Sequence, residues 1–168
     1  MSLFEPIIDA LNRGDVRYVV VGGVAVVLQG HARLTADLDL AVDLTPEEAR
    51  RAVDVLVGLG LEPTVPVDPS DFADARIRAR WVEEKNMQVF SLRDASNPLR
   101  EVDLFVEDVI AFDELWDRSE TLELVHATVR VASIPDLIRM KEQAGRPQDL
   151  ADIEALRAIL ERRGETDV

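Results

Sequence analysis

The sequence has no cysteine and just two histidines, His31 and His126. Without cysteine, neither a disulfide framework nor a thiolate metal site can form. Two histidines this far apart also argue against a zinc site, which needs several nitrogen or sulfur ligands close together. Any metal site in this chain is therefore predicted to use oxygen ligands.

Long apolar runs are also missing. No stretch approaches the roughly 18 apolar residues that a membrane-spanning helix needs, and no basic segment precedes an apolar one near the first residue. We therefore predict no membrane association and a cytoplasmic location. With 168 residues and 47% hydrophobic composition, the chain is predicted to form a single domain, residues 1–168, with one core.

Positive charge is scarce, because the net charge is −14 and the lysines are limited to Lys85 and Lys141. Such a surface repels polyanions, so we predict that nucleic acid is not a partner, although acidity can also simply aid solubility. Arg76, Arg78 and Arg80 form the one concentrated basic cluster. On a strand they would share a face that could grip phosphate, whereas on a helix they would scatter.

A glycine pair interrupts the first apolar stretch. Residues 18–21 are predicted to form a buried strand, which Gly22 and Gly23 end with a sharp turn. Residues 24–29 are predicted to form a short helix, whose free first amides suit an anion such as a nucleotide phosphate. Taken alone, a glycine pair is also compatible with a plain turn.

Two aspartates follow within residues 35–42. Alternation places Asp37 and Asp39 on the same face of a predicted strand, with Cα atoms about 7 Å apart. Such carboxylates repel each other unless a proton or cation intervenes, so we predict a divalent cation here. A solvated strand face is the alternative for an isolated Asp-x-Asp.

Together, Gly22-Gly23, the 13-residue spacer and the Asp37-x-Asp39 pair resemble the signature of the DNA polymerase β nucleotidyltransferase superfamily. The segment from Arg33 through Thr35 to Asp39 is similar to small bacterial nucleotidyltransferase domains, those related to AbiEii-type abortive-infection toxins and to small antibiotic nucleotidyltransferases. The resemblance implies an α/β or α+β nucleotidyltransferase fold, with a short mixed β-sheet flanked by helices and two C-terminal helices.

The resemblance also implies a third carboxylate on a later strand. Asp103 fits, because it lies in residues 101–106, where Val102, Leu104 and Val106 alternate with it. Residues 101–123 contain many other acids that compete for this assignment. By resemblance, Asp37, Asp39 and Asp103 are catalytic and hold Mg²⁺ or Mn²⁺, and Asp103 draws the acceptor hydroxyl into line.

Nucleotide binding is implied for a second group of residues. Backbone amides at Gly22 and Gly23 would approach the phosphates, Arg33 and Thr35 would steady a phosphate or the loop, and Lys141 would reach a triphosphate oxygen. Part of the superfamily carries serine at the position of Gly23, so one hydroxyl contact is expected to be lost.

Residues 141–153 resemble the C-terminal signature of the same small nucleotidyltransferases. The resemblance implies that Arg146, Asp149 and Asp152 bind substrate or support the residues that bind it. It also implies that Asp149 or Asp152 orients Lys141 or a substrate amine. The alternative is that Gly145-Arg146-Pro147 simply separates two helices and that the aspartates compensate a helix dipole.

The implied activity is Mg²⁺-dependent transfer of a nucleoside monophosphate from a nucleoside triphosphate such as ATP to a hydroxyl, with release of pyrophosphate. We predict a small-molecule or protein acceptor, with a cationic small molecule favoured if the acidic residues 101–123 border the cleft. The alternatives are an RNA-modifying nucleotidyltransferase toxin and a non-catalytic nucleotide-sensing or partner-binding module. A homodimer is compatible with the sequence, which specifies neither the nucleotide nor the acceptor.

Overall fold

The computed structural model describes residues 3–164. Within that range the chain alternates helices and strands, with one 3-10 helix at Pro69–Ala73. The elements in chain order are α1 Glu5–Arg13, β1 Tyr18–Val21, α2 Gly22–Leu28, β2 Leu38–Val42, α3 Pro46–Gly58, β3 Leu61–Pro63, α4 Ala75–Lys85, β4 Val89–Asp94, β5 Asn97–Phe105, α5 Phe112–Arg118, β6 Glu120–Glu123, β7 Thr128–Val131, α6 Ile134–Ala144 and α7 Pro147–Arg163.

The strands form one seven-stranded mixed sheet in the order β3-β4-β5-β2-β1-β7-β6. Its centre combines an antiparallel β1–β2 pair with parallel β2–β5 and β1–β7 pairs. The β4–β5 and β6–β7 hairpins extend the sheet on its two sides, and β3 pairs antiparallel with β4 at one edge. This architecture confirms the predicted mixed α/β fold with two C-terminal helices.

Alternation along the central strands separates a buried face of the sheet from a partly exposed one. On one face, the apolar residues of β2, β4 and β5 are fully buried: Leu38, Leu40, Phe90, Leu92, Val102 and Leu104. Phe72 of the 3-10 helix and Trp81 of α4 stack on Phe90, with ring centroids 5.5 and 5.2 Å away, and cover this face. The polar residues of the same strands therefore point to the other, less buried face.

The predicted element boundaries shift at two places. Helix α2 begins at Gly22 instead of residue 24, and β2 begins at Leu38, so Asp37 precedes the strand. The β4–β5 turn lies at residues 95–96, where the Asp94 carboxylate accepts a hydrogen bond from the Ser96 amide at 2.8 Å. That side-chain bond closes the turn.

The arginine cluster lies on helix α4, so its strand interpretation is wrong. Asp74 caps this helix by accepting a hydrogen bond from the Arg76 amide at 2.8 Å. Arg78 is buried, and burial lowers the pKa of its guanidinium. It donates hydrogen bonds to the backbone carbonyls of Phe72, Leu44 and Val106. Arg78 therefore links three separate backbone segments by hydrogen bonds. Arg80 is exposed on the helix.

Helices α6 and α7 are separated by Gly145, which ends α6 in a left-handed conformation with φ of 64°. Ser133 caps α6 by accepting a hydrogen bond from the Asp136 amide. Among the helices of residues 3–164, none is long and apolar enough to cross a membrane.

Candidate active site

The structure brings the three predicted carboxylates together. The parallel β2–β5 register sets Asp39 beside Asp103, and the antiparallel β1–β2 register sets Asp39 beside Val21, the last residue before the glycine pair. Neighbouring strands lie about 4.8 Å apart. Asp37 lies just before β2, close enough for its charge to raise the pKa of both other aspartates.

Asp39 is the most perturbed of the three carboxylates. Its pKa is raised to about 7, first by burial and then by the charges of Asp103 and Asp37, while a hydrogen bond from the Gly23 amide and the charge of Arg146 oppose these effects. Burial also raises the pKa of Asp37, with Glu101 adding to the effect and Arg93 opposing it. The cluster therefore favours a bound proton or cation.

Ser91 is a site residue that the sequence did not reveal. It lies opposite Asp103 in the β4–β5 register, and its hydroxyl donates a hydrogen bond to Asp103 Oδ1 at 2.5 Å. Burial raises the pKa of Asp103, and this hydrogen bond partly opposes the effect. In the sequence, Ser91 alternates with the apolar residues Phe90 and Leu92, which places it on the other face of the strand. Its pairing with Asp103 follows only from the register of the hairpin.

The donor set at this site fits a hard divalent cation. Asp39 and Asp103 offer carboxylate oxygens from adjacent strands, their pKa values are raised by burial, and a cation between them would relieve their repulsion. Across the described part of the chain, no three acidic or histidine side chains already stand at metal-ligand spacing.

The absence of side chains at Gly22 and Gly23 leaves space for the side chains of nearby residues. A Cβ atom at Gly22 would lie 2.0 Å from Asp39 Oδ2 and 2.9 Å from Asp39 Cβ, and Gly22 has φ of +62°. A Cβ atom at Gly23 would lie 2.4 Å from Thr35 Oγ1 and 3.0 Å from Arg33 Nη2. The Thr35 hydroxyl and the Arg33 guanidinium therefore occupy the space beside Gly23 where a serine side chain would stand.

Replacing Gly22 with alanine is expected to lower the free energy of unfolding by about 3 kcal/mol, because a left-handed backbone cost of about 1–2 kcal/mol adds to the collision with Asp39. Urea denaturation measures the change. Gly60→Ala is the matched control, since Gly60 also has positive φ, +91°, but has nothing within 4 Å of its Cβ position. Equal losses for both variants would contradict the proposed collision.

Lys141 lies in a buried ion-pair network between the two C-terminal helices. Its ammonium is 3.2 Å from Asp149 Oδ1 and 2.7 Å from Asp152 Oδ2. Arg33 binds Asp152 at 2.9 Å, which connects the network to the loop before Asp37, and Arg146 binds Asp149 at 2.9 Å. Both aspartates contact Lys141, while their role in orienting it and the contact of Lys141 with a triphosphate stay predictions.

Charge balance in this network favours ionised aspartates. Burial alone would raise the pKa of Asp149 and Asp152, but hydrogen bonds and charges from Lys141, Arg146 and Arg33 outweigh it and lower both values. Asp149 also accepts a hydrogen bond from the Arg146 amide at 3.1 Å, and so caps α7. Asp149 therefore lies at the first turn of α7 and also takes part in the ion-pair network, so the two alternatives for this residue are compatible.

Part of the acidic segment lies at the other end of the sheet. Asp43 follows β2 about 13 Å from Asp39, and Arg17 binds both Asp43 and Asp113 there. Burial raises the pKa of Asp108, with contributions from the charges of Asp43 and Asp113. Asp108 and Asp113 therefore lie away from the site, whereas Glu101 and Asp103 of the same acidic stretch lie beside Asp37 and Asp39.

A mixed sheet that carries carboxylates on adjacent strands, next to a glycine turn between a strand and a short helix, defines a nucleotidyltransferase. The chain belongs to the family described as nucleotidyltransferase of unknown function, DUF6036, whose model matches residues 1–162. This match confirms the resemblance and the assignment as an enzyme that transfers nucleotides. No protein of curated function matches the sequence.

Solved structures with the same fold include antibiotic-modifying enzymes. The lincomycin-bound lincosamide antibiotic adenylyltransferase LnuA has a TM-score of 0.62 at 16% identity, over 94% of this chain and 96% of its own. A putative nucleotidyltransferase from Thermotoga maritima has a TM-score of 0.58 at 16% identity, over 96% and 92%. ANT(2")-Ia in complex with adenylyl-2"-tobramycin has a TM-score of 0.57 at 16% identity, over 95% and 88%. At these identities the likeness shows the shared fold.

Proposed function

We propose that this protein transfers a nucleoside monophosphate from a nucleoside triphosphate, such as ATP, to a hydroxyl of a small molecule or a protein, and releases pyrophosphate. The observation that carries the proposal is the pairing of Asp39 with Asp103 on adjacent parallel strands, directly beside the Gly22 turn. Such a row of carboxylates suits phosphoryl transfer, which depends on positioning and charge stabilisation.

Asp39 and Asp103, with Asp37 beside them, would hold Mg²⁺ or Mn²⁺, which supplies charge neutralisation on the triphosphate. Asp103 would also accept the proton of the acceptor hydroxyl, a role that suits a carboxylate whose pKa is raised by burial.

The phosphates of the nucleotide would lie beside the glycine pair. Arg33 and Thr35 line the space next to Gly23 and would contact them there. The Gly23 amide donates to Asp39 and so holds that carboxylate in place. Lys141 would act on the phosphates through the Arg33–Asp152 contact, or directly after a side-chain rotation.

The charges around the site support a small-molecule or protein acceptor over RNA. RNA binding needs several cationic side chains available for phosphate contacts. Near the carboxylates, Arg33, Arg93 and Arg146 are each paired with an acid of this chain. Their charge is thereby largely neutralised, and the net charge of −14 adds long-range repulsion of polyanions.

The proposal is tested by incubating the purified protein with each of the four common nucleoside triphosphates and Mg²⁺, and measuring pyrophosphate. Parallel reactions contain lincomycin, tobramycin, bulk tRNA or no added acceptor. We expect Mg²⁺-dependent pyrophosphate release with a subset of nucleotides, and no electrophoretic shift of tRNA by micromolar protein at about 0.1 M salt.

Two outcomes would count against the proposal. Nucleotide binding without pyrophosphate release under all conditions would support a nucleotide-sensing module instead. Labelled nucleotide appearing on tRNA, together with a tRNA complex that dissociates steeply with added salt, would support the RNA-modifying alternative.

A further inference from the structure

A hydroxyl group of this chain already contacts the carboxylate to which the proposed function assigns the acceptor's proton. Ser91 Oγ donates a hydrogen bond to Asp103 Oδ1 at 2.5 Å, and Asp103 is the carboxylate assigned to take the proton of the acceptor. Ser91 lies on the less buried face of the sheet, alternating with the fully buried Phe90 and Leu92. Its hydroxyl is therefore directed to the same side as the catalytic carboxylates.

The sheet register places the reacting groups in one row. Ser91 is paired with Asp103, Asp103 with Asp39, and Asp39 with Val21, which leads into Gly22. These residues lie on four neighbouring strands, so the row is about 15 Å long. In-line displacement requires the phosphorus to lie between the nucleophile and the leaving group. A triphosphate with its β- and γ-phosphates beside the glycine turn and its α-phosphorus over the paired carboxylates would present that phosphorus to Ser91.

We propose that Ser91 is itself an acceptor, so that the protein nucleotidylates its own chain. This inference rests on the proposed function. Ser91 Oγ attacks the α-phosphorus of a bound nucleoside triphosphate, and an Oγ–P bond forms as the bond to the bridging oxygen breaks. Pyrophosphate carries away the electron pair of the broken bond, and the proton of the hydroxyl passes to Asp103. The product is a phosphodiester between Ser91 and the nucleoside.

The modification also affects other acceptors. A nucleotide attached to Ser91 fills the space in front of Asp103, where an external hydroxyl would have to enter. Self-modification is therefore expected to be a single event on each chain, and the modified protein is expected to lose transfer to external acceptors.

Intact-protein mass spectrometry tests the inference after incubation with each nucleoside triphosphate and Mg²⁺, and peptide fragmentation locates the adduct. We expect the mass of one nucleoside monophosphate to be added at Ser91. Ser91→Ala and Asp39→Asn should abolish the adduct, whereas Ser91→Thr should retain it because the hydroxyl remains. Since mapping is done on the unaltered chain, the result does not depend on the folding of any variant.

Ser70→Ala is the matched control. Ser70 also donates to a carboxylate, Asp68 Oδ1 at 2.6 Å, but on the 3-10 helix outside the site. This variant should be modified like the unaltered protein. Pyrophosphate release by a protein that gains no adduct at Ser91 would overturn the inference and leave the proposed function intact. Absence of pyrophosphate release with every nucleotide would overturn both.

Discussion

Replacing Asp39 with asparagine is expected to abolish nucleotidyl transfer and, at the same time, to make the metal-free protein harder to unfold above neutral pH. The loss of activity should be at least about 100-fold, because the amide carries no charge to hold a cation or to offset charge in the transition state. The geometry of the site should survive, since an asparagine oxygen can still accept the Gly23 amide hydrogen bond.

The stabilisation has a defined pH dependence. Asp39 has a pKa of about 7 in the folded protein, raised from 3.8 first by burial. A carboxyl with a raised folded pKa favours folding at low pH and loses that contribution as the pH rises from about 4 through about 7. The full difference corresponds to about 4 kcal/mol, which partial exposure and coupling to Asp103 reduce.

We therefore expect Asp39→Asn to raise the free energy of unfolding by about 2–4 kcal/mol at pH 8, and by less at pH 5. Urea titrations of the metal-free protein at both pH values measure this difference. Asp117→Asn, an exposed position in α5, should change stability little at either pH. Near-native Mg²⁺-dependent turnover in Asp39→Asn, or a stability gain that does not depend on pH, would show that Asp39 is not the repelled carboxylate of this site.

The residues whose placement the sequence predicted well are those whose position follows from local patterns. Asp39 and Asp103 alternate with buried apolar residues, so their shared face of the sheet follows from the period of a strand. The glycine pair ends an apolar strand, and the sharp turn predicted there explains why these positions are glycine. The structure adds the reason for Gly22, because the Asp39 carboxylate occupies the space that a side chain there would fill.

The residues that the sequence predicted poorly depend on tertiary contacts. Arg76, Arg78 and Arg80 have a spacing that fits a strand as well as a helix, and the decision comes from the Asp74 cap and from burial of Arg78 under three carbonyls. Ser91 becomes a site residue through strand register alone. No periodicity within one element indicates such a pairing between strands, which explains why the sequence did not reveal Ser91.

Replacing Lys141 with methionine is expected to lower the free energy of unfolding by about 3–5 kcal/mol, because it leaves Asp149 and Asp152 buried with less compensating charge. Methionine keeps most of the side-chain volume, so the loss reports charge more than packing. Both aspartates have lowered pKa values, and their contribution to stability is present above pH 4 and declines as the pH falls below it. Urea denaturation at pH 7 measures the effect.

The matched control is an exposed ion pair between the same two helices. Arg157 binds Glu142 at 2.9 Å, and both side chains are about half exposed, so Glu142→Gln should cost no more than about 1 kcal/mol. In the double variant Lys141→Met/Asp149→Asn, removal of one buried charge should restore part of the lost stability, while Asp152 keeps its Arg33 partner.

The same double variant separates the two roles considered for Lys141. A direct contact with a triphosphate is worth about 1.5–3 kcal/mol, so its loss should weaken nucleotide binding by about tenfold or more even when stability is partly restored. If the dissociation constant for Mg²⁺-nucleotide instead returns to the value of the unaltered protein, Lys141 acts by holding α6 against α7 and, through Asp152, by keeping Arg33 beside Gly23. Equilibrium dialysis with labelled nucleotide, at a temperature where each variant is folded, distinguishes these results.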